Sequence, residues 1–128
     1  MIKISIIDGL PFISSRIYHN SKKLILNKIL IDTGSAGTVL SSDKLLSIDI
    51  RYEPYDIIHR IRGVGGSEFV FTKTIDKISI GNLYVDKFTI EVGTLDYGFE
   101  MDGIFGIDYL SSINAIIDLS NYTIYPAK

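Results

Sequence analysis

Ile29-Leu30-Ile31-Asp32-Thr33-Gly34-Ser35-Ala36 places an acid directly after three apolar residues. Such a run reads as the buried end of a β-strand. A carboxylate taken out of water is costly unless it is paired or hydrogen-bonded. An Asp delivered to that place therefore needs a reason. Thr33 supplies a hydroxyl beside it, and Ser35 a second one within reach of the carboxylate. Gly34 lets backbone and solvent come close. Read alone, the tripeptide Asp32-Thr33-Gly34 also fits a plain turn in which Asp caps its own backbone.

The surrounding chain is built for sheet. Ile occurs 24 times, Val 5 and Thr 7, whereas Ala occurs 3 times and Gln never. β-branched side chains are stiff at χ1 and suit a pleated surface better than a helix. Strands are predicted at Ile2 to Ile6, Phe12 to Tyr18, Leu24 to Ile31, Thr38 to Leu40, Tyr55 to Arg62 and Glu68 to Ile75. More follow around Ile78 and Ile80, Phe88 to Val92, Ala115 to Leu119 and Tyr122 to Tyr125. Asn20-Ser21, Gly81-Asn82 and Ser120-Asn121 read as turns. Ser41-Ser42-Asp43 reads as a helix N-cap. Ile107 to Ile113 fits two helical turns, with Ile107, Leu110 and Ile113 expected inward. Short strands at this spacing imply a mostly β sandwich or barrel with one or two short helices.

Length and charge narrow the function. The 128 residues are expected to form a single domain over 1–128 with its own core. A net charge of −2 argues against a nucleic-acid partner. The absence of Cys excludes a disulfide scaffold and a thiol nucleophile. His19 and His59 lie far apart, and no loop gathers the oxygens a hard cation wants, so neither metal nor cofactor is expected. No stretch reaches the ~18 apolar residues of a membrane span. The N-terminus is interrupted by Lys3 and Asp8 and does not read as a signal peptide. A cytoplasmic location is the expectation.

The acid loop resembles that of the aspartic proteases, and a second segment narrows the resemblance. Asp102-Gly103-Ile104-Phe105-Gly106-Ile107-Asp108-Tyr109-Leu110 is similar to the later apolar-apolar-Gly element and short helix of the retroviral-type, retropepsin-like members. The closing Ala115 to Tyr125 hairpin resembles that of small bacterial single-domain relatives. The resemblance covers nearly the whole chain, Met1 to Tyr125. It implies a closed acid-protease barrel, one lobe per chain. It implies that Ile104, Phe105 and Gly106 thread past the catalytic loop, with Gly106 small so that backbones touch. It places the flap on Gly63-Val64-Gly65-Gly66, which reads as a hairpin turn in any case. Asp102 and Asp108 are expected to cap the short helix rather than to catalyse. The viral members carry an ion pair where this chain has Ala36 and Ile107. An apolar contact would have to replace that bracing.

The chemistry adds a requirement. Aspartic proteolysis uses two close carboxylates that share one proton, the ionised one as base and the protonated one polarising the scissile carbonyl. Only one Asp-Thr-Gly is present; Asp8-Gly9 and Asp102-Gly103 lack the hydroxyl residue. An active enzyme must then be a homodimer with Asp32 of each chain at the axis. The resemblance implies that Thr33 bonds across the axis, that Gly34 shapes the loop and that Ser35 bonds the carboxylate. The substrate would be a peptide or protein lying as an extended strand under the flap. Two other readings stay open: a non-catalytic module of the same fold that binds a peptide or partner, and a structural barrel with Asp32 as a turn residue.

Overall fold

A computed structural model describes residues 1–63, 66–95, 98 and 100–128, with backbone only at 62–63 and 66–68. Eleven strands and two short helices follow one another: β1 (Ile2–Lys3), β2 (Ser5–Ile7), β3 (Leu10–His19), β4 (Lys22–Ile31), β5 (Val39–Ser41), α1 (Ser42–Leu45), β6 (Ile58–Gly63), β7 (Gly66–Ile80), β8 (Leu83–Gly93), β9 (Gly103–Phe105), α2 (Ile107–Ser112), β10 (Ala115–Asp118) and β11 (Thr123–Pro126). A 3₁₀ turn, Leu46–Ile48, extends α1. The mostly β prediction holds.

The main sheet runs β2-β3-β4-β9-β5-β8-β7-β6, and β7 also pairs with β3. The sheet thus curls back on itself into a barrel-like form. β2 and β6 stand outside that ring, so closure is not strict. A bulge makes the curl possible. Register shifts between Ile13 and Ser15, after which β3 pairs with β7 from Arg16 to Tyr18. Bulges add local twist and re-aim a strand. The buried Ser15 hydroxyl donates to Ser79 O (2.7 Å), closing the seam. β1, β11 and β10 form a separate three-stranded sheet.

The core is largely isoleucine, including Ile17, Ile29, Ile75, Ile78 and Ile90. Phe105 stacks on Tyr109 at 4.3 Å, and Phe88 meets Tyr109 edge-on at 5.7 Å. Asn20 and Ser21 both have positive φ, the conformation of a tight hairpin turn. Ser41 caps α1 through the Lys44 N–H, as its sequence suggests.

Four expectations need correction. Ile2 to Ile6 is not one strand: the strand breaks at Ile4 into β1 and β2, which lie in different sheets. Glu68 to Ile75 and Ile78 to Ile80 are one fifteen-residue strand, because β8 pairs along its whole length from Phe71 to Ile80. Tyr55 to Ile57 is not strand. In α2 the buried residues are Tyr109 and Leu110, with Ile113 at its end, whereas Ile107 is 47% exposed. Gly63 and Gly66 are paired across the β6–β7 hairpin; Val64 and Gly65 lie outside the described residues.

The segment before β6 is held by one cation. Lys73 Nζ lies 2.8 Å from both Glu53 Oε1 and Asp56 Oδ2. The hydrogen bond from Lys73 holds the Glu53 carboxyl below its ordinary value. Burial pushes Asp56 up, but Lys73 and the Glu53 N–H outweigh it and leave the carboxyl lowered. Lowered carboxylates stabilise above their ordinary pKa, and the contribution fades as pH falls through the folded value. The amides of Glu53 and Asp56, which donate to Asp56 Oδ2 and Glu53 O, are therefore expected to lose hydrogen-exchange protection, corrected for intrinsic rate, below about pH 4. Lys73→Met should weaken that acid dependence and leave the part carried by the bond from the Glu53 N–H to Asp56.

Candidate active site

β4 delivers the acid. The Asp32 N–H still donates to Phe105 O of β9 (3.0 Å), so strand alternation carries through to Asp32 and sets it on the same face as Leu30. The Ser35 N–H then donates to Asp32 O (3.1 Å) and closes a turn. The Gly34 N–H donates to Asp32 Oδ1 (3.0 Å). One carboxylate oxygen is therefore fixed by the loop's own backbone. Asp32 is half-buried, while Thr33, Gly34 and Ala36 are exposed.

Ser35 differs from its expected role. Its Oγ donates to Gly37 O (2.8 Å), not to the Asp32 carboxylate. A serine hydroxyl readily bonds backbone two residues away. Here it tightens the far side of the loop.

Gly106 is where two segments meet. A Cβ on it would stand 2.4 Å from Gly37 O and 2.8 Å from Ser35 O. The Ile107 N–H donates to Ser35 O (2.8 Å). Ile104 and Phe105, in β9, run parallel to β4 opposite Leu30 and Ile31. Gly63 and Gly66 lie in the hairpin, and no contact between that hairpin and Asp32 is among the described ones.

Thr38 braces the candidate site, and sequence reasoning passed over it. It is fully buried. Its Oγ1 donates to Asp108 Oδ1 (2.7 Å) and accepts from the Gly106 N–H (3.2 Å). Its own N–H donates to Asp108 Oδ2 (3.2 Å). This two-pronged contact braces the loop against α2, one residue beyond Ile107. The available signal was a lone hydroxyl inside an apolar stretch, since a buried polar group must find a partner. Thr38→Val should lower stability by about 1–3 kcal/mol, because the buried Gly106 N–H loses its partner and Asp108 Oδ1 keeps only the Tyr109 N–H. Thr38→Ser should keep most of it; thermal melting distinguishes them.

Asp102 does not cap α2, whereas Asp108, although not the N-cap residue, accepts the first-turn Tyr109 N–H at Oδ1 (2.7 Å). The N-cap is Gly106, with no side-chain bond. Asp102 is three strand residues too early and accepts from the Asn27 and Lys28 N–H groups (both 3.1 Å). Asp108 is turned to Thr38. Glu91 is half-buried beside this loop, and burial pushes its carboxyl above the ordinary range. Asp108 adds to that rise and His59 opposes it. His59 is exposed on β6, and His19 Nδ1 lies 3.8 Å from Asp76 Oδ1. Among the described residues, no three His, Asp or Glu side chains gather as a metal site. No helix among them is long and apolar enough to cross a membrane.

Comparison with known proteins agrees with this geometry. A sequence search of curated proteins returns no match. Among solved structures, a retropepsin-like aspartic protease from Rickettsia conorii is similar, with a TM-score of 0.69 and 18% identity. The likeness covers 97% of this chain and 87% of that one. At that identity it speaks for the fold alone. The sequence profile described as aspartyl protease matches residues 17–109, a span that takes in both the Asp32 loop and the Gly106 crossing. With most of its length matched in this way, the chain belongs to the aspartyl protease family and carries a retropepsin-like fold.

Proposed function

We propose that residues 1–128 act as a single protease domain, an aspartic endopeptidase that works as a twofold homodimer. The observation that carries this reading is the Asp32 carboxylate, pinned by the Gly34 N–H at an open face. Around it Thr33, Gly34, Ala36 and the apolar Ile107 are all exposed. A second copy set against that face would bring its own Asp32 to the first. Thr33 then bonds across the axis and Gly34 shapes the loop. Ser35 acts as a positioning residue through Gly37.

In the dimer the two carboxyls share one proton. The ionised one takes a proton from water, whose oxygen attacks the scissile carbonyl carbon. The protonated one gives its proton to the carbonyl oxygen, producing a neutral gem-diol. Collapse breaks the C–N bond, with one proton passing to the leaving nitrogen and one returning to the dyad. Charge and atoms balance, and no cofactor is required. Gly63, Val64, Gly65 and Gly66 serve as the flap, a glycine-rich tip suited to closing over peptide. A cytoplasmic setting fits the cysteine-free chain.

The test is cleavage of a diverse peptide mixture read by mass spectrometry, from acid to neutral pH, in a sample shown to be dimeric. New termini from wild type that vanish with Asp32→Asn support the reading. Silence from both proteins in the dimeric sample overturns it in favour of a non-catalytic peptide-binding module.

A further inference from the structure

The face that bears Asp32 continues across the sheet as one row. Phe12 stands opposite Leu30, Leu30 opposite Ile104, Ile104 opposite Val39, Val39 opposite Glu91, and Glu91 opposite Thr72. Residues in register share a face, and Asp32 follows Leu30 by two. The row is apolar for four strands beside the acid loop. It changes character at Glu91.

Glu91 is set into this wall in an unusual way. Its Oε1 fills the space that a side chain at position 37 would take: a Cβ on Gly37 would stand only 2.7 Å from it. The absence of a side chain there lets the carboxylate lie against the Asp32 loop. Its Oε2 is buried and has no hydrogen-bond partner among the described residues. No salt bridge among those residues reaches it either. The ionisable groups whose charge acts on it are His59, from β6, and Asp108, from α2. Asp108 repels it. Among the described residues the one cationic group acting on it is the exposed His59, which forms no salt bridge with it, and leaving a charge desolvated and unpaired is costly. Buried polar atoms without partners call for an explanation, and a ligand that completes the site is one.

We infer that Glu91 is a specificity-determining residue that receives a Lys or Arg side chain of a bound peptide. The inference rests on the protease reading for the presence of peptide along this face. Glu91 takes no part in the chemistry at the scissile bond. Three strand spacings of about 4.8 Å separate β4 from β8, and an extended peptide advances about 3.3 Å per residue. The basic residue should therefore fall within about four positions of the scissile bond. An apolar side chain is expected nearer to it, against the partly exposed Leu30, beneath which Ile104 and Val39 are already buried. Lys and Arg have long apolar stems that can lie along such a wall while the charged head reaches the acid.

Binding and cleavage test this separately. Peptide pools that differ only by Lys or Arg against norleucine at each position are titrated onto Asp32→Asn and onto Asp32→Asn/Glu91→Gln. Hydrogen bonds to charged groups predict a preference for the basic pool on the order of tenfold to a hundredfold. Glu91→Gln should erase the preference, as should Glu91→Leu, with circular dichroism checking that each is folded. Cleavage by the otherwise wild-type chain should show the same enrichment, lost in Glu91→Gln. No basic preference in binding, or one that survives both substitutions, overturns the inference. A preference that depends on Glu91 while wild type cleaves nothing upholds it and defeats only the protease reading. Cleavage without a basic preference does the reverse.

Discussion

Asp32→Asn is expected to end peptide cleavage while leaving the fold in place. Asn has the shape of Asp, and its side-chain oxygen can still accept the Gly34 N–H that Asp32 Oδ1 accepts at 3.0 Å. The position is half-buried at the end of a strand, not deep in the core. Stability should therefore change by no more than about 1 kcal/mol. Catalysis is a different matter, because a neutral amide can neither take a proton from water nor share one with its partner. General acid–base catalysis contributes roughly 10²–10⁴-fold, so activity should fall by at least that much. Mixing the two proteins at a fixed total concentration then tests the shared dyad. If each active unit needs Asp32 from both copies, a half-and-half mixture after subunit exchange retains about a quarter of the wild-type rate. A fall only to half would mean that each chain works alone, and would remove the dyad from the mechanism.

What the sequence disclosed and what it hid follow from the range of the interactions. Asp32-Thr33-Gly34 stood out because an apolar run ending in an acid is a local contradiction that calls for a reason. Asn20-Ser21 was legible as a turn because both residues tolerate the positive φ they adopt. The long β7 was not, since Asp76-Lys77 looks like a break and the strand is held there by β8 and β3. Ile107 misled because helical spacing pointed it inward. Its N–H is committed to Ser35 O, and its side chain is left largely exposed. The partners of Thr38 lie about seventy residues away at Gly106 and Asp108, beyond any local pattern. Glu91 fitted the polar side of a period-2 strand. Alternation shows that it avoids the main core, but not that Gly37 lies against it.

Gly106→Ala should be among the most damaging small substitutions in the chain. The reason is contact and not conformation: Gly106 has φ −89° and ψ −177°, extended backbone that alanine adopts freely. The added methyl carbon would stand 2.4 Å from Gly37 O, 2.6 Å from Gly37 C and 2.8 Å from Ser35 O. All three are backbone atoms, so no side chain can swing away. The loop and β9 must part, and three bonds are at stake: Ile107 N–H to Ser35 O, Asp32 N–H to Phe105 O, and Gly106 N–H to Thr38 Oγ1. Overpacking of this kind costs about 3 kcal/mol or more. For a domain of this size that lowers Tm by roughly 10 °C. Gly9→Ala is the matched control. Gly9 has φ +79°, and an added methyl there would meet nothing within 4 Å, so the variant carries only the strain of a left-handed residue. That strain is about 1 kcal/mol. If the two variants melt alike, close approach is not what reserves position 106 for glycine. If Gly106→Ala melts far lower, the acid loop is held in place by backbone lying on backbone, and the geometry of Asp32 depends on it.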